Sequence, residues 1–377
     1  MGGTDAVVAG AGPAGLATAA MLKRAGLSTT ILERSDAVGS SWRARYDGLR
    51  LNTIRWSSSL PGYRMERKYG RWPARDEWVG YLERYADRHG LDVRFGTELR
   101  RVERSGEGWR LQTSNGSLDA GFAVVAIGHD HDPKIPRWSG LDSFTGELMH
   151  AASYRNPEPF AGKDVLIVGP GNTGSELAYK ILRGGAGRVR ASMRGAPNVI
   201  KREVLGLPLY ALVGIVNNRA PVAVSDFGGR LLQRAVFGDL SKYGVPRAPM
   251  GVATSIRDRR VAPLFDDGFV DALKRGEIQI LPVIERVDGP DVVLAGGERI
   301  QPDVVIACTG YDHGLEPIVG HLGVLDDQGS PRVRDGKDDP RTPGLRFTGY
   351  TPRLAGQLCM FKYEARRIAR AARRDFA

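Results

Sequence analysis

Three glycines near the start of the chain have the spacing of a dinucleotide-binding turn. They lie in GAGPAG, between an apolar segment and an alanine-rich one, and the turn residues are Gly10, Gly12, Pro13, Ala14 and Gly15. In such a turn the first glycine permits a tight bend, the second admits a pyrophosphate, and the third lets helix and strand pack closely. Glu33 ends the next apolar segment, and the following Arg34 is predicted to bind the cofactor with it. A carboxylate at this place accepts hydrogen bonds from an adenosine ribose, so we expect the turn to bind FAD. A glycine turn without a ligand is the alternative.

A second glycine turn with the same spacing occurs in the middle of the chain. It lies in GPGNTG, and its residues are Gly169, Gly171, Asn172, Thr173 and Gly174. The apolar segment after it ends at Arg194 instead of an acidic residue. A guanidinium binds a ribose 2′-phosphate, whereas a carboxylate repels it, so this turn is predicted to bind NADPH. Arg194 could also be an ordinary exposed arginine, and Arg190, Lys201 or Arg202 could share its role.

Both turns require a parallel βαβ unit to position them. The first needs strands at 6–9 and 29–32, and the apolar run 123–127 before Gly128 predicts another strand of that sheet. The second needs strands at 164–168 and 189–193. We therefore predict an α/β fold with two Rossmann-like dinucleotide-binding domains, the NADPH domain being inserted into the FAD domain.

The predicted FAD-binding domain is discontinuous and comprises 1–155 and 300–377, and the predicted NADPH-binding domain is 156–299. Residues 132–159 are rich in proline, glycine and polar residues and are interpreted as a connection between domains. No clear periodicity is found over about 205–250. The basic segment 355–372 predicts a solvated terminal helix.

Composition excludes several classes of protein. The 377 residues are 42% hydrophobic and 26% charged, which is typical of globular proteins. The net charge of +11 is spread along the chain and peaks near its end, so we expect no nucleic acid partner. No apolar run is long enough to span a membrane and no signal segment is recognised, which predicts a cytoplasmic protein that binds no membrane.

Neither cysteines nor histidines suggest another kind of redox or metal chemistry. Cys308 and Cys359 are far apart and form no CxxC pair, which argues against a dithiol redox centre. The run GHDHDP at 128–133 is interpreted as a polar turn, because no third group of metal ligands with recognisable spacing accompanies it. We predict no metal.

The segment FTGELMHAASY at 144–154 fits the pattern FxGxxxHxxxY, and here the sequence resembles the flavin-containing monooxygenases, the YUCCA-type enzymes above all. The resemblance covers nearly the whole chain and includes YDGLRLN at 46–52, KYGVPRAPMG at 242–251, ACTGY at 307–311 and FTGYTPRLAGQL at 347–358. Baeyer–Villiger enzymes usually have tryptophan where this chain has Tyr154. The match therefore favours the flavin-containing monooxygenase branch.

The resemblance implies roles for further residues. Asn52 matches an asparagine that faces the oxygen-reactive edge of the flavin, and YUCCA-type enzymes tend to have histidine there. Other implied contacts to FAD are made by Ser41, Trp42, the backbone at Val102, Gly128 and Gln357. The motif residues implied to coordinate NADPH binding with domain motion are Phe144, Gly146, His150 and Tyr154. His150 could instead be a structural histidine in a loop.

The implied activity is that of an NADPH- and FAD-dependent monooxygenase acting on a small organic substrate with O₂ through a C4a-(hydro)peroxyflavin. Asn52 favours oxygenation at nitrogen or sulfur. The alternative is oxidative decarboxylation of an aryl-pyruvate such as indole-3-pyruvate, with Arg55 and Arg202 as candidates for binding the carboxylate. A flavoprotein reductase without oxygenation and a non-catalytic redox sensor are alternatives of other classes. Monomer and homodimer both stay open.

Overall fold

The computed structural model describes residues 4–195, 197–204, 207–208, 220–259, 262–351 and 356–375. They form two compact units, one containing the described residues up to Asp132 and from Tyr311 onward, the other running Pro133–Gly310. The second unit interrupts the first in sequence, and the predicted α/β fold class is confirmed. The predicted domain boundaries differ from these, because residues 133–155 and 300–310 lie in the second unit.

The first unit contains a mixed sheet, and the central strand of its parallel part is buried on both faces. β1 pairs in parallel with β2 and β6, and four consecutive residues of β1 are buried. Such a run is expected where helices or loops cover both faces of a sheet. The strands of this segment are β1 Thr4–Ala9, β2 Thr29–Leu32, β3 Asp92–Arg94, β4 Leu99–Ser105, β5 Gly108–Thr113 and β6 Gly116–Val125. Its helices are α1 Pro13–Arg24, α2 Ser40–Arg43, α3 Arg55–Ser58 and α4 Arg75–Arg88, with a 3₁₀ turn at Arg67–Tyr69.

The second unit contains its own parallel sheet. Its strand order is β15-β10-β9-β19-β8 among the described residues. The strands are β7 Asp132–Pro133 at the unit boundary, then β8 Glu147–His150, β9 Asp164–Val168, β10 Arg188–Ser192, β11 Val199–Lys201, β12 Glu203–Val204, β13 Leu207–Pro208, β14 Leu264–Asp266, β15 Ile278–Leu281, β16 Ile284–Asp288, β17 Asp291–Leu294, β18 Arg299–Ile300 and β19 Val304–Ala307. The helices are α5 Asn172–Arg183, α6 Val222–Phe237, α7 Val252–Thr254 and α8 Phe269–Lys274, with 3₁₀ turns at Leu141–Ser143, Ala151–Ser153, Glu158–Phe160 and Leu240–Tyr243 and a π-helical turn at Ser255–Arg259.

Two segments assigned by sequence to the first domain or to a connection are strands of this second sheet. β19 pairs in parallel with both β9 and β8, Ile306 facing Ile167 on one side and Met149 on the other. A fully buried apolar run such as 304–307 is compatible with either sheet, so only the pairing register decides. Residues 133–159 therefore belong to the second unit and do not form a separate connection.

Helix α6 lies in the region where no periodicity was found. Gly228 and Gly229 stand in its middle and weaken the helical signal. Its apolar residues Val224, Phe227 and Leu231 are exposed, so the usual buried stripe is missing. Residues 209–219 of the same region lie outside the described residues.

The last segment returns to the first unit. It contains β20 Tyr311–Asp312, β21 Leu345–Phe347, α9 Glu316–Val319, α10 Gln357–Asp375 and a 3₁₀ turn at Gly320–Leu322. β21 pairs in parallel with β6 and completes the first sheet, as predicted. Helix α10 packs on α1 and buries Phe361, Ala365 and Ile368, so it is amphipathic and not fully solvated as the basic composition suggested. Among the described residues, no helix has the length and hydrophobicity that a membrane span requires.

Candidate functional site

The first glycine turn joins β1 to α1 and leaves the backbone at Gly12 open. Gly10 has a φ of +107°, and a Cβ there would lie 2.4 Å from the carbonyl oxygen of Ala126. A Cβ at Gly15 would lie 1.9 Å from the carbonyl oxygen of Gly10. An added Cβ at Gly12 meets no atom within 4 Å. The first and third glycines are therefore required by packing, whereas Gly12 leaves room for a phosphate before the N-terminus of α1.

Glu33 is held at the mouth of this turn. Its carboxylate accepts hydrogen bonds from the backbone N–H of Ala11 at 2.8 Å and of Ser35 at 3.0 Å, and the residue is buried. Beside it opens a cavity of about 300 Å³, within the size range of ligand pockets. Gly10, Glu33 and Arg34 line this cavity, so the structure brings together the residues predicted to bind the adenosine half of FAD.

Val102 does not line the cavity. Its side chain is fully buried in the hydrophobic core on β4. The cavity is lined here by Thr97 and Glu98, which precede β4, and by Leu99 and Arg100, which begin it. Sequence reasoning missed these four residues, although they adjoin Val102 in sequence.

The segment around Ser41 and Trp42 contacts the glycine turn through its backbone. Gly39, with a φ of +68°, donates its N–H to the carbonyl oxygen of Ala11 at 3.0 Å. Helix α2 begins at the next residue and places the ring of Trp42 edge-on against Trp78, with 5.9 Å between ring centroids. Both predicted residues therefore lie two and three residues after a glycine that is hydrogen-bonded to the first glycine turn, and Ser41 is exposed.

Asn52 is brought close to the start of α10, far away in sequence. The adjacent Thr53 packs so tightly on Gly356 that a Cβ at Gly356 would lie 2.0 Å from Thr53 Cγ2. Gln357 follows, and its side-chain amide donates to the carbonyl oxygen of Gly349. Asn52 itself is half-buried.

Gly349 connects this group to the glycine turn. A Cβ at Gly349 would lie 3.4 Å from the Cβ of Ala14 on α1. Gly128, three residues after the end of β6, has a φ of +88°, and an added Cβ meets no atom within 4 Å. The predicted flavin-facing residues thus lie within one unit, although they come from three distant parts of the chain.

The residues of the GHDHDP run are engaged with other side chains. Asp130 forms an ion pair with Arg45 at 2.5 Å, and Arg45 also donates to the hydroxyl of Tyr311 at 3.2 Å. Burial opposes ionisation of Asp130, but the charges of His129 and Arg45 outweigh it and lower the pKa of that carboxyl. In the described part of the chain, no three His, Cys, Asp or Glu side chains are grouped so that they could hold a metal ion.

His131 links the same run to Arg34. Its Nε2 lies 2.8 Å from Nη1 of Arg34, and its Nδ1 lies 2.9 Å from Oδ1 of Asp132. These three residues line the cavity beside Glu33. A polar turn, as predicted, therefore contributes one wall of the candidate FAD site.

The second glycine turn repeats the geometry of the first. Gly169 has a φ of +82°, and a Cβ at Gly174 would lie 2.6 Å from the carbonyl oxygen of Gly169. An added Cβ at Gly171 again meets no atom within 4 Å. This turn therefore also requires glycine at its first and third positions and leaves the middle position open.

The two residues after Gly171 differ in what they can offer a cofactor. The side-chain amide of Asn172 donates to the carbonyl oxygen of Pro263 at 2.8 Å and accepts from the N–H of Phe265 at 2.7 Å. Asn172 thus ties the turn to β14, and only its backbone faces a phosphate. Thr173 is exposed.

Arg194 follows the end of β10 and is exposed. Nothing in the described part of the chain forms a hydrogen bond or ion pair with it. By contrast, Arg190 is buried and binds Asp164 through both Nε at 3.2 Å and Nη2 at 2.6 Å. Arg202 is ion-paired with Asp267 at 2.7 Å. Of these three arginines, Arg194 has the guanidinium most available to a ligand.

The FxGxxxHxxxY segment begins beside the hydrophobic core of the second unit. Phe144 packs against that core. A Cβ at Gly146 would meet Cζ of Phe144 at 2.6 Å and the carbonyl oxygen of Asp303 at 3.0 Å, so the close packing of β8 requires glycine here. These residues are part of the unit and not of a connection.

His150 and Tyr154 are buried in the same unit. Nδ1 of His150 accepts from the N–H of Ala152 at 3.1 Å, and Nε2 lies 3.0 Å from the carbonyl oxygen of Gly310. Tyr154 stacks on Phe160 with 5.7 Å between ring centroids. Both ring nitrogens of His150 thus bind backbone, as the structural alternative anticipates, and a role in NADPH binding stays a prediction.

Both cysteines are free thiols. Burial raises the pKa of Cys308 to about 12, so its thiol is protonated at neutral pH. Cys359 is buried and donates to the carbonyl oxygen of Gly356 at 3.1 Å. Neither thiol has the environment of a redox-active thiolate.

The chain is similar to known redox enzymes along most of its length. The family described as pyridine nucleotide-disulphide oxidoreductase matches residues 7–204. The chain is 32% identical to indole-3-pyruvate monooxygenase YUCCA1 of Oryza sativa subsp. japonica, over 92% of this chain and 87% of that protein. It is 30% identical to the probable indole-3-pyruvate monooxygenase YUCCA8 of Arabidopsis thaliana, over 92% and 84%.

A solved structure is similar over the whole chain. The flavin-containing monooxygenase from Stenotrophomonas maltophilia is 26% identical, with a TM-score of 0.75, and the match covers 100% of both chains.

Proposed function

Because this chain belongs to the flavin-dependent monooxygenases of the pyridine nucleotide-disulphide oxidoreductase family, we propose that its first unit binds FAD and its second unit binds NADPH. The chain is an oxidoreductase that uses both cofactors and O₂. One observation supports the assignment to units above all. Each unit has a glycine turn whose middle glycine faces open space, and only the first is followed by a buried carboxylate, Glu33.

In the first unit, the residues of the chain hold and orient the flavin dinucleotide. Backbone N–H groups at Gly12 and at the N-terminus of α1 would bind the pyrophosphate, and Glu33 would bind the ribose. The start of β4 near Leu99 would contact the adenine, which we propose in place of Val102. Ser41 and Trp42 would flank the phosphates.

In the second unit, the N-terminus of α5 receives the pyrophosphate of NADPH, and Arg194 binds the 2′-phosphate. Arg194 fits this role because it is exposed and engaged by no described side chain, whereas Arg190 and Arg202 bind carboxylates. Bound together, the two cofactors supply hydride transfer and activation of O₂.

Asn52 is proposed as the residue at the oxygen-reactive side of the flavin. The support is that its segment adjoins that of Gln357, since the resemblance assigns both residues to the flavin and their sequence neighbours Thr53 and Gly356 are in contact. A side-chain amide there donates a hydrogen bond and helps to exclude water, which limits loss of activated oxygen as hydrogen peroxide.

We favour nitrogen or sulfur as the oxygenated atom. Decarboxylation of a keto acid calls for a cation that binds the substrate carboxylate, and Arg55 and Arg202 are the candidates in the sequence. Arg55 donates to the carbonyl oxygens of Gly70 and Met65 at 3.0 Å each. Arg202 is paired with Asp267. Both guanidinia are therefore engaged within the protein, and we propose neither as the group that binds a substrate carboxylate.

Oxidative decarboxylation of an aryl-pyruvate is the second candidate. It is supported by the names of the plant relatives, which are indole-3-pyruvate monooxygenases similar over more than nine-tenths of this chain. The hydrogen bonds of Arg55 to backbone carbonyls argue against decarboxylation, whereas the activity named for the plant relatives argues for it.

Substrate-dependent product formation distinguishes the two candidates. The purified holoenzyme is incubated with NADPH and O₂, and with either indole-3-pyruvate or a panel of amines and thioethers. We expect an N- or S-oxide that carries ¹⁸O from ¹⁸O₂, with peroxide measured in parallel. The Gly12→Val variant, which should lack FAD, is the matched control. Indole-3-acetate and CO₂ without any oxide would replace our first candidate by the second.

A cytoplasmic location and the choice between monomer and homodimer stay predictions. Fractionation of the cells that make the protein tests the first, and light scattering of the purified chain tests the second.

A further inference from the structure

The function proposed so far assigns no role to His131 or Asp132, which form a chain of hydrogen bonds with Arg34 at the cavity beside Glu33. Nη1 of Arg34 lies 2.8 Å from Nε2 of His131, and Nδ1 of His131 lies 2.9 Å from Oδ1 of Asp132. All three side chains line the cavity of about 300 Å³. They are contributed by two distant segments that meet at the carboxyl ends of β2 and β6.

The chemistry of the partners determines the protonation of His131. A guanidinium has donors only, so Nε2 of His131 must accept the hydrogen bond from Arg34. The proton is then on Nδ1, which donates to the carboxylate of Asp132. The arrangement therefore requires a neutral imidazole of one tautomer.

Packing also holds the ring in place. Gly314 has a φ of +64°, and a Cβ there would lie 2.5 Å from Nδ1 of His131. The backbone N–H of His131 donates to the carbonyl oxygen of Asp312 at 3.3 Å. The side chain of His131 is only 17% exposed. A ring confined in this way can direct the flexible side chain of Arg34.

We infer that His131, oriented by Asp132, is a positioning residue that holds the guanidinium of Arg34 at the adenosine end of the FAD site. This inference rests on the proposed FAD site in the first unit. Arg34 directly follows Glu33, so a directed guanidinium contacts the adenosine that Glu33 binds through its ribose. His131 acts through Arg34 and does not itself touch the reacting atoms.

The arrangement makes FAD affinity depend on pH. Protonated His131 offers no acceptor to Arg34 and adds a like charge beside it. FAD affinity is therefore higher with the neutral imidazole than with the protonated one. The other charged groups that face this site are Glu33, Glu98, Arg100 and Asp132, and Asp312 adjoins it.

Replacing His131 by glutamine separates the effect of protonating His131 from the effects of the other charged groups at the cavity. The Oε1 of a glutamine can accept from Arg34 as Nε2 does, but it does not titrate. Any pH dependence that comes from the other charged groups persists in His131→Gln. His131→Phe removes the acceptor at every pH.

The experiment measures release of FAD from the full-length holoprotein on dilution, followed by flavin fluorescence, between about pH 8 and about pH 5.5, where imidazoles titrate. We expect the wild-type dissociation constant for FAD to rise by about tenfold or more on acidification. This is the change that the loss of one charge-assisted hydrogen bond would cause. His131→Gln should bind nearly as tightly as wild type at the higher pH and show little change. His131→Phe should bind weakly throughout, and His321→Gln, at an exposed histidine outside the cavity, should behave as wild type.

A double-mutant cycle tests whether His131 acts through Arg34. Arg34→Ala and His131→Phe combined should weaken FAD binding no more than Arg34→Ala alone. Additive effects, or a His131→Gln variant with the pH dependence of wild type, would overturn the inference. Thermal unfolding of each variant checks the fold, and if His131→Phe is unstable, the comparison of His131→Gln with wild type decides. Failure of the wild-type chain to bind FAD at any pH would instead refute the proposed function.

Discussion

Replacing Arg194 by alanine should narrow the preference of this enzyme for NADPH over NADH. A hydrogen bond to a charged group contributes about 1.5–3 kcal/mol. Because Arg194 is exposed, solvent screening favours the lower end of this range, and about 1.4 kcal/mol corresponds to a tenfold change. The ratio of kcat/KM for NADPH to that for NADH should therefore decrease about tenfold. The loss should be confined to NADPH, since NADH lacks the 2′-phosphate.

The assay is anaerobic reduction of the bound flavin by each nucleotide, followed by stopped-flow absorbance. Arg188→Ala is the matched control, because it removes the same charge from the other end of β10. Arg188 is exposed and lies six residues earlier, roughly 20 Å away for extended chain. At a Debye length of about 8 Å, its charge hardly reaches a phosphate bound at Arg194.

Two results would refute this reasoning. An unchanged nucleotide preference in Arg194→Ala would move the 2′-phosphate site to another basic residue, with Lys201 next to be tested. An equal loss in Arg188→Ala would show that the preference comes from the general positive charge of the unit and not from one contact.

Three further predictions concern other parts of the site. Gly12→Val should abolish FAD retention yet leave the apoprotein folded, since an added Cβ meets no atom within 4 Å, whereas Gly15→Ala should lower the melting temperature because its Cβ would lie 1.9 Å from a backbone oxygen. Circular dichroism measures folding, chromatography of the released flavin measures retention, and a Gly12→Val variant that keeps FAD would contradict the proposed phosphate site. Asn52→Ala should leave flavin reduction by NADPH intact but raise the fraction of NADPH that ends as hydrogen peroxide, and slowed reduction with unchanged peroxide would assign Asn52 another role. Cys308 should react slowly with iodoacetamide in the folded protein at about pH 8, since its raised pKa of about 12 leaves little thiolate, and rapidly only on unfolding; rapid labelling of the folded protein would contradict the raised pKa.

Local patterns predicted the parts of the site that are built from consecutive residues. Each glycine turn was recognised because its three glycines lie within six consecutive residues, although the backbone that the first glycine approaches, at Ala126 or Cys308, is distant in sequence. Glu33 was found because a strand of known length separates it from the turn. The resemblance added residues such as Asn52 and Gln357, and only the packing between Thr53 and Gly356 shows that their segments adjoin.

Long-range register could not be predicted from the sequence. The run 304–307 is apolar on both faces, so nothing in its pattern distinguishes one parallel sheet from the other, and the pairing of β19 with β8 and β9 assigns it to the second. The helix α6 was missed because exposed apolar residues and two central glycines obscure the usual amphipathic pattern.

The sequence by itself determined which chemistry the chain can position, namely two dinucleotide turns of which only one is followed by a carboxylate. The tertiary structure decided which charged side chains remain available for that chemistry. Arg190 and Arg194 lie four residues apart and are equivalent by residue type, but Asp164 binds the first and leaves the second exposed. The reason is physical: the charge of an arginine is a local property, whereas its availability depends on carboxylates that only the fold brings within hydrogen-bond distance.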